Sequence, residues 1–170
     1  MRDKRLIILI FIPFVFGYLT NLVFLVPGVG TLTYSLMPFV LLIYWFWVGI
    51  QFSKSSIKNV YALIYGNILC VLSLLLYYWQ FILLGEEKRS MILASISQMY
   101  VSPLSPITAR FGIMFEKLPN VLSQTSITAM HTIGTILLVI TFLAGFIFEK
   151  IKHSRLEKVE VDLLKIMEEK

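Results

Sequence analysis

Four apolar runs, separated by short polar stretches, set the pattern of the chain, and each is long enough for a helix to cross a bilayer. The first, 6–26, follows Arg2, Asp3, Lys4 and Arg5 and carries no charge. It is too long for the apolar core of a signal peptide, and no small-residue cleavage site follows Val26, so it reads as an uncleaved helix. Pro13 and Gly17 lie inside it, are tolerated in a membrane and predict a bend. Pro27-Gly28-Val29-Gly30 forms an uncharged turn into the second run, 32–52, rich in aromatics that include Tyr34, Tyr44, Trp45, Phe46 and Trp47. A polar loop at 53–59 holds Lys54 and Lys58. The third run, 60–84, ends in a belt of Tyr77, Tyr78, Trp79 and Gln80. The fourth, 126–148, is followed by charge.

The pattern changes between the third and fourth runs. Glu86, Glu87, Lys88 and Arg89 open a segment, 87–124, that is apolar but punctuated. Ser90 is placed to cap a short helix over 91–101, and Ser102-Pro103 to end it. Ser105-Pro106 starts a second helix, in which Ile107, Phe111, Met114, Phe115, Leu118 and Leu122 recur at helical spacing. Arg110, Glu116, Lys117 and Asn120 interrupt that face, and Pro119 ends or kinks the helix. A segment so charged does not span, so it predicts an amphipathic two-helix layer in the membrane interface. The sharper alternative is a re-entrant hairpin that dips into the membrane at 91–101.

The tail, 149–170, is read as a charged helix continuing the fourth span. It has six basic residues and six acidic ones, with Leu156, Val159, Leu163 and Ile166 at a and d positions of two heptads. That is short of a coiled coil on its own, but it suits pairing with a second copy or a partner.

Composition agrees with lipid as the solvent. The 170 residues are 58% apolar, with a mean hydropathy of +0.82, far outside soluble composition. The net charge of +5 does not point to nucleic acid, because the charges sit in short flanks and not on a basic surface. Cys70, the single cysteine, gives no disulfide framework and no metal cluster. Basic residues set the orientation. Eleven of them fall at the two chain ends and in the 53–59 loop, and four in the 87–124 segment. The positive-inside rule then puts both termini in the cytoplasm and 87–124 outside.

The expected fold is therefore all-α and integral to the membrane: a domain over 1–148 with four transmembrane helices, both termini cytoplasmic, an external interfacial two-helix segment, and a cytoplasmic helical tail over 149–170. Small size without a soluble domain suits a prokaryotic plasma membrane.

Candidate chemistry centres on His131, the ionisable group placed inside the fourth span. Thr128, Thr132 and Thr135 share its face, at helical spacings of three and four residues. Asn21, beside Thr20 in the first span, and Gln80 in the third fall at a comparable depth. Together they predict a polar pocket open to the outside for a small ligand, a proton or a peptide. The plainer expectation is that a neutral imidazole and hydroxyls hold helices together by hydrogen bonds. Gly66, Asn67, Cys70 and Ser73, and Gly145 with Ala144, predict close helix packing. The Glu86-Glu87 pair reads as a solvated turn, since Lys88 and Arg89 follow it.

No H-E-x-x-H, G-x-S-x-G, phosphate-loop or dinucleotide pattern occurs, and no acidic residue lies in a span. Ser126 and His131 fall on different faces, which argues against a nucleophile pair. No cofactor or metal is expected. The leading expectation is a non-enzymatic accessory, regulatory or protective (immunity-like) protein acting through helix-helix contacts. Its partners are the lipid bilayer and either another membrane protein or further copies of itself. The alternative is a subunit of a homo-oligomeric channel or small-solute transporter with an outer vestibule at His131. The missing inverted repeat weakens the carrier version.

Overall fold

The computed structural model describes residues 2–115 and 123–168. Glu116, Lys117, Leu118, Pro119, Asn120 and Leu122 of the expected amphipathic face lie outside them, as do the side chains of Leu163 and Ile166. All regular structure among the described residues is helical. Four helices are long and apolar enough to cross a membrane, through 5–23, 29–53, 59–83 and 124–159. They are α1 (Arg2–Val23), α2 (Val29–Ser53), α3 (Asn59–Tyr78, extended by a π turn Trp79–Leu83) and α6 (Gln124–Glu168). Between the last two lie the short helices α4 (Met91–Met99) and α5 (Ser105–Gly112), joined by a 3-10 turn at Ser102–Leu104.

Contacts fix the relative directions. Leu9 meets Tyr44 and Phe24 meets Tyr34, so α1 and α2 are antiparallel. Cys70 meets Thr135 and Tyr77 meets Thr128, so α3 and α6 are antiparallel too. Trp45 packs on Phe142 and Lys54 pairs with Glu149, so α2 and α6 run alongside in the same sense. One end of the bundle therefore carries the start of α1 and the tail of α6. The other end carries the 24–28 turn, the end of α3 and the start of α6.

Proline explains one of the α1–α2 contacts. Pro13 has no N–H to give the Leu9 carbonyl, which would otherwise stay unpaired inside an apolar bundle. The Tyr44 hydroxyl donates to that carbonyl at 2.8 Å. Small residues explain the α2–α6 crossing. A Cβ on Gly49 would overlap the Phe142 main chain, and one on Gly145 the Phe46 main chain, so each backbone sits where the other lacks a side chain. Gly66 gives the same room to the Phe142 ring, and Asn67, Cys70 and Ser73 are buried beside it.

The segment after α3 is inserted between the long helices; it is not laid across their ends. From the Gln80 level, α4 runs back along α3, where the Ser73 hydroxyl donates to the Ser97 carbonyl at 2.8 Å. The Met99 main chain then crosses α1 at Gly17, where a Cβ would overlap it. Tyr100 follows, fully buried, with its hydroxyl donating to the Ile10 carbonyl at 3.0 Å, half-way along α1. Its ring meets Phe14 and Trp45 edge-on, at 4.9 and 5.7 Å between centroids. Val101 fills the space over Gly134, and α5 returns along α6 until Gly112 reaches Met130. At 1.5 Å per residue, α4 descends about 14 Å, roughly half the thickness of a hydrocarbon core.

Two local expectations change. Ser90 precedes α4 without a side-chain cap; its own N–H donates to Gln80 Oε1 at 2.9 Å. The second helix ends at Gly112, and Phe111, Ile113, Met114 and Phe115 remain exposed. At the other end of the bundle, α6 continues without a break from the fourth apolar run into the charged tail, as one helix of 45 residues. Leu156 and Val159 on it are exposed.

Candidate functional site: a polar recess beneath the hairpin

His131 lies two turns into α6, with its imidazole stacked on the Tyr77 ring at 4.2 Å and 17°. Hydrogen bonds hold Tyr77 in place. Its hydroxyl accepts from Gln124 Nε2 at 3.1 Å and donates to Thr128 Oγ1 at 3.4 Å, since the Thr128 proton goes to the Gln124 carbonyl. The stack therefore sets the tilt of the histidine ring.

His131 also lines a recess of about 270 Å³. Asn21 comes from α1 and Phe24 from the turn after it; from the hairpin come Gln98, Ser102, Ser105 and Thr108, and from α6 Ile127, Met130 and His131. The Ser102 hydroxyl donates to Asn21 Oδ1 at 3.1 Å, and Thr108 donates to the Leu104 carbonyl at 3.2 Å. Among the described residues, neither the imidazole of His131 nor the carboxamide of Gln98 has a hydrogen-bond partner. Among the described residues no lysine, arginine, aspartate or glutamate lines the recess. Its polar groups are neutral donors and acceptors set against Phe24, Val101, Ile127 and Met130, an arrangement suited to binding.

The six residues expected to share a pocket are divided by the fold. Asn21 and His131 are brought together. Thr128 and Thr132 line a separate cleft of about 470 Å³ with Tyr78 and Ile82. There the Tyr78 hydroxyl donates to Thr132 at 3.1 Å, and Thr132 donates to the Thr128 carbonyl at 2.8 Å. Thr132 follows His131 directly, and one residue turns a helix by about 100°, so it leaves the histidine's side. Thr135 lies one turn deeper and is buried, its carbonyl accepting from Cys70 Sγ at 4.0 Å.

Gln80 is 1% exposed and acts as a clasp. Its side chain takes the Ser90 N–H, and its carbonyl accepts from Arg89 Nε at 3.0 Å. The Arg89 guanidinium lies 4.7 Å over the Phe81 ring. The π turn aims Gln80 inward at the head of α4, where it fixes how the hairpin starts.

Gln98, Ser102 and Ser105 are the members that sequence reasoning missed. Their signal was polarity at the apex of an otherwise apolar segment, next to Pro103. Groups of three or more histidine, cysteine or acidic residues with metal-binding geometry are absent among the described residues. Comparison of the chain with protein-family models, with curated proteins and with solved structures finds no match.

Proposed function

We propose that the chain is a multi-pass plasma-membrane protein, with both ends cytoplasmic, that works without catalysis as an accessory, regulatory or protective component. Its contacts are helix to helix within the membrane. The observation that carries this reading is the filled centre of the bundle. Leu41, Trp45, Tyr100, Leu104, Leu138 and Phe142 are 0–1% exposed and close the space below the recess. A recess with a filled floor favours binding over conduction through the bundle. The exposed row of Phe111, Ile113, Met114 and Phe115, at the end of the bundle read as external, offers an apolar surface to a partner.

A second reading, a channel or transporter subunit, draws on the hairpin itself. Non-helical backbone at membrane depth occurs where it is buried in protein or lines a watery cavity. The turn at 100–104 borders such a cavity on one side. In this reading Tyr100 is the gate.

Gentle extraction from the native membrane followed by native mass spectrometry separates the two. A second protein at fixed stoichiometry is the expected result. A single species at a multiple of 19.6 kDa overturns it in favour of the subunit reading, for which His131→Ala should abolish flux.

A further inference from the structure

We infer that the recess at His131 takes an uncharged ligand carrying a carboxamide or a similar paired donor and acceptor, with an apolar ring or chain beside it. This goes beyond the proposed function and stands whether the protein acts with a partner or alone. The argument starts from what the recess leaves unpaired. A neutral imidazole offers one donor and one acceptor, and a carboxamide offers two donors and an acceptor. Those of His131 and Gln98 have no protein partner among the described residues. Both side chains are half-buried and open to the recess, where water or a ligand pairs them.

The lining also selects the ligand's charge. Among the described residues no side chain of fixed charge faces the space, so a carboxylate or an ammonium group would enter unpaired there and pay its full desolvation. A carboxamide can instead exchange two hydrogen bonds with Gln98 while its flank rests on Phe24 and the His131 side chain. The Tyr77 stack holds that imidazole in one orientation.

The test compares three flat probes of nearly equal shape: benzamide, benzoate and benzylamine. Binding to the full chain in lipid nanodiscs is read by saturation-transfer NMR, with empty nanodiscs as the blank. Benzamide should bind, and the two charged probes should bind at least tenfold more weakly. Gln98→Leu and His131→Leu should each weaken benzamide about tenfold, the effect of leaving one polar partner unmatched. Thr132→Val, in the neighbouring cleft, should leave it unchanged. If His131→Leu fails to fold, Gln98→Leu, on the hairpin, carries the same test. No benzamide signal above the blank overturns the inference, as does equal binding of benzoate or benzylamine, or wild-type affinity in Gln98→Leu.

Discussion

Gly17→Leu is expected to unseat the hairpin and destabilise the protein by about 3 kcal/mol, the upper part of the usual range for overpacking. The reason is geometric. The Cβ itself, before any longer side chain, would overlap the carbonyl and Cα of Met99. A flexible side chain could swing aside, but here the obstacle is main chain on both elements. Either α1 or the hairpin must move, and moving the hairpin withdraws Tyr100 from the centre. Gly85→Leu is the matched control, because nothing lies within 4 Å of the position its Cβ would take. Denaturant titration in mixed micelles should show a large loss for Gly17→Leu and a change within about 0.5 kcal/mol for Gly85→Leu. Equal stability of the two variants would mean that α4 does not cross α1 at Gly17.

Tyr100 carries the second large effect, and its two parts are separable. Tyr100→Ala removes a fully buried ring that meets Phe14 and Trp45 edge-on. It should destabilise by about 3 kcal/mol, the lower part of the range for deleting a buried aromatic. The lower part applies because lipid is a less demanding reference than water for an apolar ring. Tyr100→Phe keeps the ring and loses only the hydrogen bond to the Ile10 carbonyl, so about 1 kcal/mol is expected. The Ile10 carbonyl sits in an intact helical turn, which is why the smaller figure applies. The same denaturant titration reads both. Equal losses for Phe and Ala would assign the effect to the hydroxyl and contradict the packing account.

The four long helices were legible because a bilayer offers nothing to bond a bare peptide group, so uncharged runs of membrane length have few other structures. The unbroken course of α6 into the tail was legible for the same local reason: no proline or glycine interrupts 146–168. The path of 87–124 was less so. Its punctuation at Ser102-Pro103 and Ser105-Pro106 marked two short helices, but periodicity does not say how deep they sit. Depth is set by Gly17 meeting Met99 and Gly134 meeting Val101, pairings between distant parts of the chain. Gly66 and Gly145 were read as packing faces and do pack against Phe142 and Phe46, whereas Gly17, read as part of a bend, is with Gly134 a slot that admits the hairpin.

The site divides along the same line. His131 stood out because an ionisable group in a span is uncommon and needs a reason. Helical spacing then attached three threonines to it. Spacing fixes direction around one helix and does not say which neighbour each direction meets. Tyr77 claimed the histidine's ring and Thr128, Tyr78 claimed Thr132, and the hairpin supplied the remaining polar wall. Gln80 fell at the expected end of α3, but the Ser90 N–H and the Arg89 side chain turned it to holding the hairpin.

The insertion of the hairpin among the long helices is the claim on which the recess, its floor and the proposed function all rest. A disulfide tests it directly, using Val101→Cys with Gly134→Cys in a Cys70→Ala background. A Cβ on Gly134 would lie 3.6 Å from that of Val101, within the roughly 3.5–4.5 Å that a disulfide spans. Replacing valine by cysteine also removes the Cγ1 that the new side chain would strike. Mild oxidation in native membranes should link the pair nearly completely, seen as a faster band on a non-reducing gel, while either single variant gives none. If the hairpin instead lay across the end of the bundle, the two cysteines would stay apart. The double variant would then remain reduced under conditions that oxidise an exposed pair.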